Sequence, residues 1–74
     1  MADGPIERLR ARLGDFTPSE EAAARYFIEH PTSVVNKTIA AVAREAGLSS
    51  TAIMRMCQRI GYSGYAEFRF CMNR

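Results

Sequence analysis

Two short amphipathic segments, residues 39–46 and 50–60, are separated by only Gly47-Leu48-Ser49, and this junction constrains the fold more than any other feature of the chain. So short a link allows little but an abrupt change of direction. Gly47 enters the positive φ that ends a helix without a Cβ clash. Leu48 is the apolar plug for the angle between the segments. Ser49 offers a side-chain oxygen to the free N–H groups that begin the second segment, and Thr38 is placed to do the same for the first. A helix, a Gly-centred turn and a steeply crossing second helix are the order of a helix-turn-helix.

The rest of the chain also reads as helix. Ile6, Leu9 and Leu13 share one face of residues 5–13, with Pro5 at the first helical position and Gly14 at the stop. Thr17-Pro18-Ser19-Glu20 is a capping box, in which Thr17 caps, Pro18 sits first and Glu20 reaches back. Phe16 stands where a hydrophobic staple belongs. The helix 18–30 turns Ala23, Ala24, Phe27 and Ile28 inward, with Tyr26 at the edge and His30 at the end, and Pro31 closes it. Residues 31–35 form a helical turn anchored by Val34 and Val35. Gly61 stops the helix 50–60, and Ser63 opens a last helix with Tyr65, Phe68 and Met72 on one stripe. No period-two alternation or hairpin dipeptide interrupts this pattern. The expected fold is all-α, a compact bundle of about five short helices containing a helix-turn-helix. It forms a single domain over residues 1–74.

Length excludes much else. A 74-residue chain buries only about 60% of the surface it exposes unfolded, which leaves little room for an enclosed active site. No nucleophile, base and orienting residue recur at useful spacing, and there is no glycine-rich phosphate loop. Glu20 and Glu21 are a capping residue and a solvated neighbour rather than a catalytic pair. No catalytic residue, metal ligand or cofactor is expected. Cys57 and Cys71 match no metal or redox spacing and read as apolar side chains. No run approaches the ~20 apolar residues of a membrane span. The start, MADGPIERLR, lacks the apolar centre of a signal peptide, which predicts a cytoplasmic protein.

Charge is distributed unevenly. Residues 1–36 carry four arginines and six acids, a net −2, whereas residues 37–74 carry six bases and two acids, a net +4. The basic half contains the helix-turn-helix, which suggests a polyanionic partner. On a helical wheel Ile53, Met56, Cys57 and Ile60 fall within about 100° and form the core stripe. Thr51, Arg55 and Gln58 lie opposite, with Met54 and Arg59 on the flanks. Arg forks onto guanine, Gln onto adenine, and a Thr methyl touches thymine. Thr51, Arg55 and Gln58 are therefore the candidates for base edges. Lys37, Thr38, Ser49, Ser50 and Arg59 are the candidates for phosphates, Lys37 the weakest of them. An alternative use of the same basic face is a helical protein-interaction module that docks an acidic partner.

These residues resemble a known family. Leu13, the Thr17-Pro18-Ser19-Glu20 box, Tyr26, Pro31, Thr38-Ile39 and Ala43 carry the likeness first. Ala46-Gly47-Leu48-Ser49, Ile53, Arg55, Cys57, Gly61-Tyr62-Ser63-Gly64-Tyr65 and Glu67-Phe68 continue it. The chain is similar to the N-terminal DNA-binding domain of RpiR-type bacterial transcriptional regulators. That resemblance implies sequence-specific binding of double-stranded DNA in the control of sugar or carbon metabolism. It also implies that the chain is the N-terminal piece of a longer, homo-oligomeric regulator, whose sugar-isomerase-like domain, absent here, would bind a phosphosugar effector. The chain departs from common family residues at Ala41, Ser50 and Ala52.

Overall fold

The computed structural model describes residues 4–73, and these form five α-helices and one short 3-10 turn. The helices are α1 (Pro5–Ala11), α2 (Pro18–Glu29), α3 (Ile39–Ala46), α4 (Ser50–Arg59) and α5 (Tyr65–Met72), with the 3-10 turn at Leu13–Asp15. α2 and α4 pack against each other at the centre. α1 lies on α2 and α5, α3 lies on α4, and α5 closes the bundle against α1 and α4.

Local chemistry accounts for most boundaries. The Thr17 side chain accepts the Glu20 N–H while the Glu20 carboxylate accepts the Thr17 N–H, so both halves of the capping box are made. Thr38 Oγ1 accepts the Ala41 N–H at 3.1 Å, and Ser49 Oγ accepts the Ala52 N–H at 3.3 Å. Gly47 adopts φ 70° at the end of α3, and the Leu48 N–H closes onto the Ala43 carbonyl at 2.8 Å. Gly61, at φ 100°, ends α4 in a Schellman arrangement: its N–H binds the Gln58 carbonyl and the Tyr62 N–H binds that of Cys57.

Five boundaries or orientations differ from the sequence reading, one of them the end of α4, which falls at Arg59 rather than at residue 60. α1 stops at Ala11 rather than at Leu13, and Gly14 lies inside the 3-10 turn instead of capping the helix. Tightening to 3-10 turns the chain early, and Leu13 and Phe16 then pack on the core from beyond α1. Val35 is 46% exposed, whereas Val34 is fully buried. Residues 31–36 run as consecutive three-residue turns, so adjacent side chains point well apart and both valines cannot face inward. α5 begins at Tyr65 with Gly64 as its cap, and Ser63 instead donates its backbone N–H to the Glu67 carboxylate. α2 ends at Glu29, and His30, its cap, stacks at 4.8 Å from the Tyr26 ring.

The core follows the periodicity. Leu9, Ala23, Ala24, Phe27, Val34, Ile53, Met56, Cys57 and Phe68 are sealed from solvent. Phe68 meets Phe27 and Tyr62 edge to face and Tyr65 at a tilt. Burial pushes the Cys57 thiol up to about 12, so it behaves as a small apolar side chain. Leu48 and Cys71 are partly buried against this cluster. Among the described residues no helix is long and apolar enough to cross a membrane.

Candidate nucleic-acid interface

Burial of Ile53, Met56, Cys57 and Ile60 fixes the rotation of α4 and thereby chooses what it shows to solvent. The exposed stripe is Thr51, Arg55 and Gln58, with Met54 beside them at 41% exposure. Gln58 Nε2 reaches the Ser63 carbonyl only at 3.5 Å, the outer limit of a hydrogen bond, and so is easily released. No ion pair holds Arg55 among the described residues. The three candidate base readers thus share one accessible helical face.

The hydroxyl candidates gather at helix starts. Ser49 and Thr38 are caps, and both accept a backbone N–H, which leaves each hydroxyl proton available to donate to an anion. Ser50 is exposed in the first turn of α4. Lys37 precedes α3 and is ion-paired to Glu45 at 2.5 Å on the surface. Its backbone is held from α5, since its carbonyl accepts the Tyr65 hydroxyl at 2.9 Å and Arg69 Nη1 at 3.4 Å. α5 thereby fixes the entry to the helix-turn-helix.

Two arrangements were not visible in the sequence. The N-terminal turn of α2 lies beside that of α4 across a cleft of about 190 Å³, lined by Thr17, Ser19, Glu20, Ser49, Thr51, Ala52 and Arg55. Ser19 thus extends the hydroxyl edge of α4, although thirty residues separate it from Ser49. The second arrangement is Arg8, from α1, whose Nη1 donates to the Ile60 carbonyl at 3.0 Å while its guanidinium sits 4.8 Å from the Tyr62 ring centre. It caps the far end of α4 and locks that helix to α1.

Arg59 has a different environment from the one its sequence position suggests. Its Nε donates to Glu20 Oε1 at 2.5 Å, and Glu20 is only 2% exposed. The arginine expected among the phosphate contacts is therefore paired with α2 through Nε, while its side chain stays 46% exposed. Burial by itself would raise the Glu20 pKa. The Thr17 N–H, the Arg59 guanidinium and the charge of Arg55 outweigh it, and the carboxyl is held below its ordinary value. Because the folded value is the lower one, Glu20 adds stability above the unfolded value and loses it as pH falls through the folded one. Thermal melts should therefore fall most steeply below about pH 4.3, the ordinary glutamate value. Glu20→Gln should flatten that fall, and an unchanged profile would assign the acid limb to other carboxylates.

Comparisons with known proteins bear on the fold and the family. The helix-turn-helix domain of the rpiR family matches residues 4–74. The chain is 33% identical over 64 residues to the bifunctional protein glk of Paraburkholderia xenovorans, covering 86% of this chain and 10% of that protein. It is 30% identical over 64 residues to the HTH-type transcriptional regulator HexR of Pseudomonas aeruginosa, covering 86% and 22%. The structure superposes on the Vibrio vulnificus NanR protein complexed with ManNAc-6P with a TM-score of 0.84 at 30% identity, covering 93% and 26%. The chain thus spans between about a tenth and a quarter of the length of these proteins. These matches favour DNA reading over protein docking by the basic face.

Proposed function

Because the chain belongs to the RpiR family of helix-turn-helix domains, we propose that it is the DNA-reading part of a cytoplasmic bacterial transcriptional regulator of sugar metabolism. α4 enters the major groove and α3 lies across the backbone. The observation that carries this reading is the face of α4, where Thr51, Arg55 and Gln58 stand exposed directly opposite a sealed apolar stripe. Thr51, Arg55 and Gln58 contact base edges. Ser49 and Ser50 hold phosphate at the start of α4, where free N–H groups and the helix dipole favour an anion. Thr38 does the same at the start of α3, and Lys37 contributes once Glu45 releases it.

The domain is the N-terminal part of a longer homo-oligomeric regulator. A further, sugar-isomerase-like domain binds a phosphosugar, in keeping with the ManNAc-6P held by the Vibrio vulnificus NanR protein. The region itself has no enzymatic role; its likeness to bifunctional protein glk covers a tenth of that protein.

Selection from a random duplex library should yield a defined binding site. On that site Arg55→Ala should lose about 1–3 kcal/mol, the range for a bidentate base contact, and much less on random duplex. Folding should be nearly unaffected, since Arg55 lies on the exposed face. An equal loss on both DNAs would move Arg55 from the bases to the backbone. Failure of the library to enrich any site would overturn sequence-specific reading.

A further inference from the structure

A carboxylate at the third position of a helix completes a capping box without being buried, and a glutamine completes it equally well. Glu20 goes further. It is buried between α2 and α4, and the oxygen that accepts the Thr17 N–H at 3.1 Å, Oε1, also accepts Arg59 Nε. The partner that requires its negative charge is therefore Arg59, thirty-nine residues away. Arg55 stands one turn earlier on α4, shares the cleft with Glu20 and makes no ion pair with it. Two exposed arginines at a four-residue spacing on one side of α4 thus differ in one respect: Arg59, though its side chain is 46% exposed, is tied to α2 through Nε, whereas Arg55 makes no ion pair among the described residues.

We propose that Glu20 is a positioning residue for DNA reading, which withholds Arg59 from the DNA backbone so that Arg55 alone meets the duplex from that flank of α4. This rests on the DNA-reading function proposed above. Every unrestrained arginine near a duplex adds affinity for any sequence, because each neutralised phosphate contributes about −0.9 to the log–log salt slope. Specificity is a difference between two affinities, so restraining one arginine lowers the unselective part. A selected site fixes the register through its base contacts, whereas on random DNA the domain can settle wherever a freed arginine finds a phosphate. Releasing Arg59 therefore helps random duplex more than the selected site.

The test is a cycle of three variants, Glu20→Gln, Arg59→Gln and the double variant, titrated on the selected site and on random duplex over a series of salt concentrations. Glu20→Gln keeps the capping hydrogen bond, and circular dichroism confirms that each variant is folded. Glu20→Gln should steepen the salt slope by about 0.9 and tighten random-duplex binding about threefold at low salt, the effect of one added phosphate contact. Its preference for the selected site should fall. Arg59→Gln alone should leave the slope unchanged, and the double variant should return to the parent slope. A purely structural role for Glu20 would shift melting but not the slope, which would overturn the proposal. So would a shallower slope for Arg59→Gln alone, since Arg59 would then already hold a phosphate in the parent protein; this arm remains decisive if Glu20→Gln fails to fold. A parent chain that binds no duplex would overturn the DNA-reading function and this inference together, whereas normal parent binding with four equal slopes would overturn the inference only.

Discussion

Phe68→Ala is expected to leave the chain largely unfolded at physiological temperature. Phe68 is fully buried, and Phe27, Tyr62 and Tyr65 surround its ring. Truncating a sealed phenylalanine costs about 3–5 kcal/mol through lost transfer energy and the cavity left behind. A domain this small holds on the order of 4–10 kcal/mol in total, so the loss consumes much of the margin. Each kcal/mol shifts melting by roughly 4–8 °C at this size, which puts the expected fall in the tens of degrees. Thermal denaturation followed by circular dichroism measures it. A fall of only a few degrees would mean that α5 is dispensable for holding α1 and α4 together.

Joining two copies of the chain is expected to give the largest gain in DNA affinity. α4 has ten residues and so extends about 15 Å, enough for only a few base pairs. One copy should therefore bind weakly and with marked salt dependence. The molecule measures 30 × 27 × 22 Å, so two copies fit side by side at the 34–36 Å that separates half-sites by one helical turn. Fusion to a dimerisation domain through a linker that spans this distance should tighten binding to a double site by roughly 10²–10⁴-fold through effective concentration. A single half-site should gain little. Equal gains on both DNAs, measured by fluorescence anisotropy, would show that the copies do not read half-sites together.

Both predictions depend on features with very different visibility in the sequence. The capping box at Thr17 and Glu20, the caps at Thr38 and Ser49 and the stops at Gly47 and Gly61 act over one or two turns. Reading them in order predicts the bounds of α3 and places the ends of α2 and α4 to within one residue. Ile53, Met56, Cys57 and Ile60 recur at helical spacing, so the inward face of α4 was legible, and the outward position of Thr51, Arg55 and Gln58 followed from it. The early end of α1 was harder. Leu13 continues the apolar spacing of Ile6 and Leu9, yet the path into α2 is decided by packing.

That this chain is helical, where its helices turn and which side of α4 faces water can all be read along the chain. Those outcomes are set by caps, glycine conformation and periodicity among residues within a few positions of one another. Which charges are paired depends instead on how the helices pack. On a wheel Arg55 and Arg59 are two bases on the same side of one helix. Their difference arises because α2 delivers a buried carboxylate to Arg59, while Arg55 is left at the open cleft. In the same way Arg8 caps a helix fifty-two residues away. An ion pair or a cap of this kind depends on where two helices lie in space, and no local preference along the chain encodes that distance.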